Sequence, residues 1–159
     1  MSALVDLIRG KGAHIDPVKA VEDLPWEMAG RRVGHLPHTI WQQLGHLNYW
    51  IDFELKKIEG QHPKVPERAE MSWPAADGPA DETGWALEVA LLRTNLSQLA
   101  TLGEAKASTL ARIVDGRTGM TVESALWLLV AHNSYHVGQI VHLRQALGAW
   151  PAADGGLSW

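Results

Sequence analysis

The pattern of apolar residues predicts an all-α fold, a four-helix bundle with a long crossover between its second and third helices. Three observations lead there. Four segments repeat apolar residues at helical spacing, and no segment alternates with period two. One proline-rich connection is too long for a tight turn between antiparallel neighbours.

The first predicted helix runs from about Ser2 to Leu24, with Leu4, Leu7 and Ile8 on its apolar face; Gly10, Gly12 and Pro17 are expected to bend it. The second runs from about Pro37 to Glu59. Pro37 suits a first turn, Ile40, Leu44, Leu47, Ile51 and Ile58 form the stripe, and Gly60 is the stop. The third runs from Asp81, a good N-cap, to Leu102, with Trp85, Val89, Leu92, Leu96 and Leu99 stepping by four and three. The fourth runs from Val122 to Leu147, between a Thr121 cap and Gly148. The crossover, residues 60–80, contains Pro63, Pro66, Pro74 and Pro79. It can span a helix of about 33 Å, which would leave the second and third helices roughly parallel. Between Glu104 and Gly119, Leu110, Ile113 and Val114 suggest a short helix before a glycine-rich turn. No strand is expected.

Composition narrows the function. The chain has 159 residues, 46% of them hydrophobic, which suits one domain over residues 1–159 with a proper core. It has no cysteine, which excludes disulfide scaffolds, Cys-type zinc fingers and cysteine nucleophiles. Fourteen Lys and Arg against eighteen Asp and Glu give a net charge of −4, which argues against binding nucleic acid. The longest apolar run, Ala125 to Ala131, has seven residues, against roughly 20 for a membrane span. Residues 1–9 lack the pattern of a signal peptide, so a soluble cytoplasmic protein is expected. Eight histidines and eight tryptophans stand beside a single phenylalanine. Such tryptophans suit packed interfaces or a ligand pocket.

His132 and His136 lie four residues apart in the fourth predicted helix, so both imidazoles share one face, on the side of Leu129, Ile140 and Leu143. Gln139 lies within about 20° of His132 on the helical wheel. His46 sits mid-way along the second helix, with Gln42, Trp50 and Phe53 on its side. Two imidazoles one turn apart can meet one ion at about 2.0–2.1 Å, and His46 is the best candidate for a third ligand. Three protein ligands leave a position open, as in catalytic rather than structural zinc sites. The alternative is a polar core cluster without metal. Asn133 occupies the place where a zinc-protease helix carries its glutamate base, so that reading fails. Glu59-Gly60-Gln61-His62 at a helix end does not make a di-iron bundle, which needs such a motif on each of two helices.

The string His132-Asn133-Ser134-Tyr135-His136-Val137-Gly138-Gln139-Ile140-Val141, continuing to Leu143-Arg144 and Leu147-Gly148, resembles the final-helix signature of the DinB-like, or YfiT-like, metal-binding four-helix bundles. Trp41 to Trp50, with Leu44-Gly45-His46-Leu47 inside it, is similar to that family's second-helix histidine region. The resemblance spans nearly the whole chain and includes the long crossover. It implies metal ligands at His46, His132 and His136, zinc or nickel as the ion, and a homodimer. It also implies a kinship with bacillithiol S-transferases and mycothiol-dependent maleylpyruvate isomerases, and thus a low-molecular-weight thiol as cofactor.

The expected activity is therefore metal-activated transfer of a thiol to a small electrophilic substrate. The alternatives are a metal-dependent hydrolase and a non-catalytic, metal-stabilised dimeric binding module. No catalytic residue is assigned. Gln139, Gln42, Trp50, Tyr135 and His14 are candidates for the pocket or for support of the ligands. His38 is a candidate for the pocket rim; His35 and His62 are expected in solvent, and His142 on the surface or at an interface. Trp41 and Trp127 are expected in the core, and Trp73, Trp150 and Trp159 at pocket walls or a dimer contact.

Overall fold

A computed structural model describes residues 2–153 and 155. Trp159 lies outside them. The chain is all-α, with helices α1 (Ala3–Ile8), α2 (Trp26–Ala29), α3 (Ile40–Ile58), α4 (Glu82–Gly103), α5 (Ala107–Leu110) and α6 (Val122–Ala146). A small antiparallel pair, β1 (Ile113–Asp115) and β2 (Met120–Thr121), precedes α6.

The three long helices start where their side chains can satisfy free backbone donors. Thr39 Oγ1 accepts from Gln42 N at 3.2 Å, and Gln42 Oε1 accepts from Thr39 N at 3.1 Å, a reciprocal cap that starts α3 three residues beyond Pro37. Asp81 Oδ1 accepts from Gly84 N at 2.8 Å and opens α4, and Thr121 opens α6 through Ser124 N at 3.1 Å.

Contacts along the helices give their directions. Trp41 lies against Trp85, Asn95 Nδ2 donates to Asn48 Oδ1 at 3.1 Å, and Leu55 and Ile58 share a groove with Gln98 and Leu102. Residue numbers rise together, so α3 and α4 run parallel, as the long crossover requires. Gln43 meets His136, His46 meets His132 and Lys57 reaches Met120, so α6 runs antiparallel to α3. Leu44, Leu47, Ile51, Leu92, Leu96, Leu99, Leu126, Leu129 and Ile140 fill the space between them, each at most 2% exposed.

The first predicted helix does not run to Leu24. It ends at Ile8, where Gly10 and Gly12 adopt φ of 76° and 77°, a region open to glycine but strained for other residues. Beyond it the chain makes separate turns, such as Ala20 N to Asp16 O at 3.0 Å and Glu22 N to Val18 O at 2.9 Å. This irregular stretch still buries Ile15, Val18, Val21 and Leu24, and so occupies the first helix's place in the bundle. The strand pair was not expected. Its first strand holds three residues, too few for a visible alternation, and Gly119 N closes its turn onto Asp115 O at 2.9 Å. Trp127 is 42% exposed rather than core, because its neighbour Leu126 takes the inward position about 100° away. Among the described residues, no helix is long and apolar enough to cross a membrane.

Candidate metal centre

The antiparallel packing of α3 against α6 brings His46 opposite His132 and His136. Nε2 of His46 and Nε2 of His132 are 3.3 Å apart, and one ring nitrogen from each of the three histidines lies within 4.8 Å of the others. His46 and His136 are buried and His132 is half-buried.

The outer nitrogens set the tautomers. His46 Nδ1 faces the Ser72 carbonyl oxygen at 3.1 Å, so it carries the proton and donates it. His136 Nδ1 faces Gln43 Oε1 at 2.7 Å and Gln139 Oε1 at 2.9 Å, and donates to both. In each neutral ring the Nε2 lone pair is then free toward the cluster. His132 Nδ1 and the neighbouring Asn133 Oδ1 are buried without a hydrogen bond. An imidazole with its proton on Nδ1 would offer a donor beside that unused acceptor.

These residues fit a divalent ion. Tetrahedral bonds of about 2.0–2.1 Å set donor nitrogens roughly 3.3–3.4 Å apart, and the His46–His132 spacing of 3.3 Å falls there. Three neutral imidazoles suit a divalent transition-metal ion such as zinc, copper, iron or nickel. Oxygen acceptors on Nδ1 are the usual outer support of such ligands.

Burial also keeps the rings neutral. It lowers the His46 pKa to about 4, helped by the nearby His136, and the His136 pKa to about 4, helped by His132. His132 is lowered as well, by burial. An unfolded imidazole takes up its proton near 6.5, so between about 6.5 and 4 the unfolded chain binds more protons than the folded one. The metal-free protein is therefore expected to lose stability as pH falls through that window and to hold level above about 7. Urea midpoints of chelator-treated protein at pH 7.5 and 5 test this; an equal or higher midpoint at pH 5 would contradict it.

The crossover supplies a pocket wall at Trp73, one of the two places expected of that residue. Trp73 stacks on His46, with centroids 3.8 Å apart and planes 11° apart, and on His38 at 3.5 Å and 4°. Its segment is strapped to the start of α3. Gln42 Nε2 donates to Pro74 O at 3.2 Å, and Thr39 Oγ1 to Asp77 O at 2.5 Å. The Arg32 guanidinium grips Asp77 through Nε at 2.8 Å and Nη2 at 2.5 Å. Position 45 must be glycine-sized, because a Cβ there would collide with the Pro74 ring.

The expected residues divide accordingly. Gln139 holds His136, and Trp50 meets His46 edge-on at 6.3 Å. Tyr135, 65% exposed, sets its ring edge-on to His136 at 5.0 Å. Gln42 turns away to cap α3 and hold the strap, and the inward amide is Gln43. His14 stands off the cluster: its Nε2 pairs with Ser134 Oγ at 2.9 Å and its Nδ1 with Ile15 O at 2.7 Å. Trp150 packs beside Arg144, and Trp41 is half-buried against α4. His35 and His62 are exposed as expected.

A cleft of about 570 Å³ opens beside His136, lined by His38, Gln43, Trp73, Tyr135, Gln139 and His142 among others. A second cleft of similar volume, between Trp26 and Trp85, has Glu22, Glu82 and Arg93 on its walls and none of the three histidines. The first is the one placed for chemistry at the cluster.

The family model described as DinB superfamily matches residues 16–140, a span that takes in all three histidines. No curated protein and no solved structure matches the chain.

Proposed function

The chain belongs to the DinB superfamily, and from that premise we propose that it holds one divalent ion, zinc or nickel, on His46, His132 and His136 and transfers a low-molecular-weight thiol to a small electrophile. The observation that carries the reading is the orientation of the rings. His46 and His136 turn their N–H groups outward to oxygen acceptors and leave lone pairs facing the His132 ring. A divalent ion held there would supply Lewis acidity toward a thiol or a water.

The chain's own groups do the rest. Ser72, Gln43 and Gln139 fix the ring planes. Trp73 covers His46 and keeps solvent from that side. The cleft beside His136 receives the electrophile. No carboxylate lines this cleft among the described residues. Hydrolysis needs a base to take a proton from water, while a thiol is already the stronger acid, so the wall favours thiol transfer.

The test is a set of small thiols offered with a generic electrophile to metal-loaded and chelator-treated protein. With at least one thiol, loaded protein is expected to form the thioether well above the uncatalysed rate. Chelation and His136→Ala are expected to return it to background. Equal rates before and after chelation would overturn the proposal.

A further inference from the structure

We propose that the cleft beside His136 selects a small aromatic compound that carries no positive charge and bears an oxygen acceptor, such as a conjugated carbonyl, and grips that oxygen with the amides of Gln43 and Gln139. The inference rests on the metal-centre reading, because an imidazole that offers Nε2 to an ion keeps its proton on Nδ1. That N–H can be met only by acceptors. Both glutamines accordingly turn Oε1 toward His136 Nδ1, at 2.7 and 2.9 Å. Each must then carry its NH2 group on the other side of the carboxamide.

Both glutamines line the cleft. Among the described residues neither NH2 group donates a hydrogen bond, although Gln42 beside them spends its own on Pro74 O. Gln43 is only 4% exposed overall, yet its NH2 group is not among the buried atoms left without a partner, so what it exposes opens onto the cleft. Unspent donors on a largely covered wall are available to a ligand oxygen.

The remaining wall defines what carries the oxygen. Trp73 and Tyr135 provide aromatic surface, and Leu36 and Leu143 aliphatic surface. Among the described residues no Asp, Glu, Lys or Arg lines the cleft. An amine would find no carboxylate there and would face the bound cation, so a compound without positive charge fits best.

The experiment is calorimetric titration of the metal-loaded protein with acetophenone, with α-methylstyrene, which replaces the C=O by C=CH2 in the same shape, and with benzylamine. Bound ion is measured on the same samples. The wild type is expected to bind acetophenone at least tenfold tighter than either of the others. Gln139→Leu is expected to keep its ion through Gln43 and to reduce the ketone preference to under threefold. Gln43→Met, with Gln139 still on His136, is expected to do the same. Loaded wild type that binds ketone and alkene alike would overturn the cleft proposal alone, as would an undiminished preference in both variants. Wild type that takes up no ion would overturn the metal reading and this proposal with it.

Discussion

Replacing His136 by alanine is expected to weaken divalent-ion binding about 10³-fold without unfolding the bundle. Zinc on a closed protein site is held by roughly 10–16 kcal/mol, and one imidazole of three carries a share near 4 kcal/mol, which is about three decades. The ring is 5% exposed, but it borders a cleft rather than filling the leucine core, so its loss leaves the helix contacts in place. The Gln139→Leu exchange makes the contrast. It leaves Gln43 Oε1 at 2.7 Å on the same Nδ1, and a supporting partner of this kind is worth only about 10–100-fold at most. Competition with a chromogenic chelator measures both, with far-ultraviolet circular dichroism as the check on folding. Loss within threefold for His136→Ala would contradict the ligand assignment.

The second large effect is on stability. Arg144 is 2% exposed and is a buried charged tie between α6 and the irregular stretch that replaces a first helix. Its Nη1 donates to Ala20 O and to Asp23 Oδ1, both at 2.8 Å, its Nε donates to Ala149 O at 2.9 Å, and its guanidinium lies 5.5 Å from the Trp150 ring centre. Burial disfavours the Asp23 carboxylate, yet the hydrogen bonds from Arg144 and from Ala153 N–H outweigh it and hold its pKa below the ordinary value. Removing the cation leaves that carboxylate and two carbonyls short of a donor at once. Arg144→Ala is expected to cost about 3 kcal/mol in urea unfolding. Arg144→Lys should recover little of it, since one ammonium cannot match the three directions of the fork. A cost below about 1 kcal/mol would mean that the stretch before α2 is held by its apolar side chains and its other polar ties, such as His14 to Ser134, rather than by Arg144.

Much of this architecture is written locally. α4 and α6 begin at the caps expected of them, Asp81 and Thr121, because an N-cap acts over three residues and is visible in any short window. The His132 and His136 pair is legible for the same reason, since one helical turn fixes their common face. α3 starts three residues later than Pro37 suggests, because proline suits any first turn, while the reciprocal Thr39–Gln42 cap needs both side chains to settle it. The wheel also could not choose between Gln42 and Gln43, which lie about 40° and 60° from His46; the crossover claims Gln42 and leaves Gln43 for His136. Trp73 and Ser72 are 26 or more residues from His46 in a segment without periodicity. Only the way the strap folds back, gripped through Asp77 by Arg32, carries them to the site. The early end of α1 has a similar origin: two glycines and a proline signalled a bend, but whether a bend becomes a break depends on what the rest of the stretch can pack against.

One ion shared by three imidazoles is the centre of the proposed chemistry. Elemental analysis after incubation with zinc or nickel and exhaustive dialysis, on wild type and on the His46→Ala, His132→Ala, His136→Ala triple variant, tests it most directly. One ion per chain in the wild type and none in the triple variant is the predicted result. A wild type that retains no ion, or a triple variant that retains as much as the wild type, would contradict it.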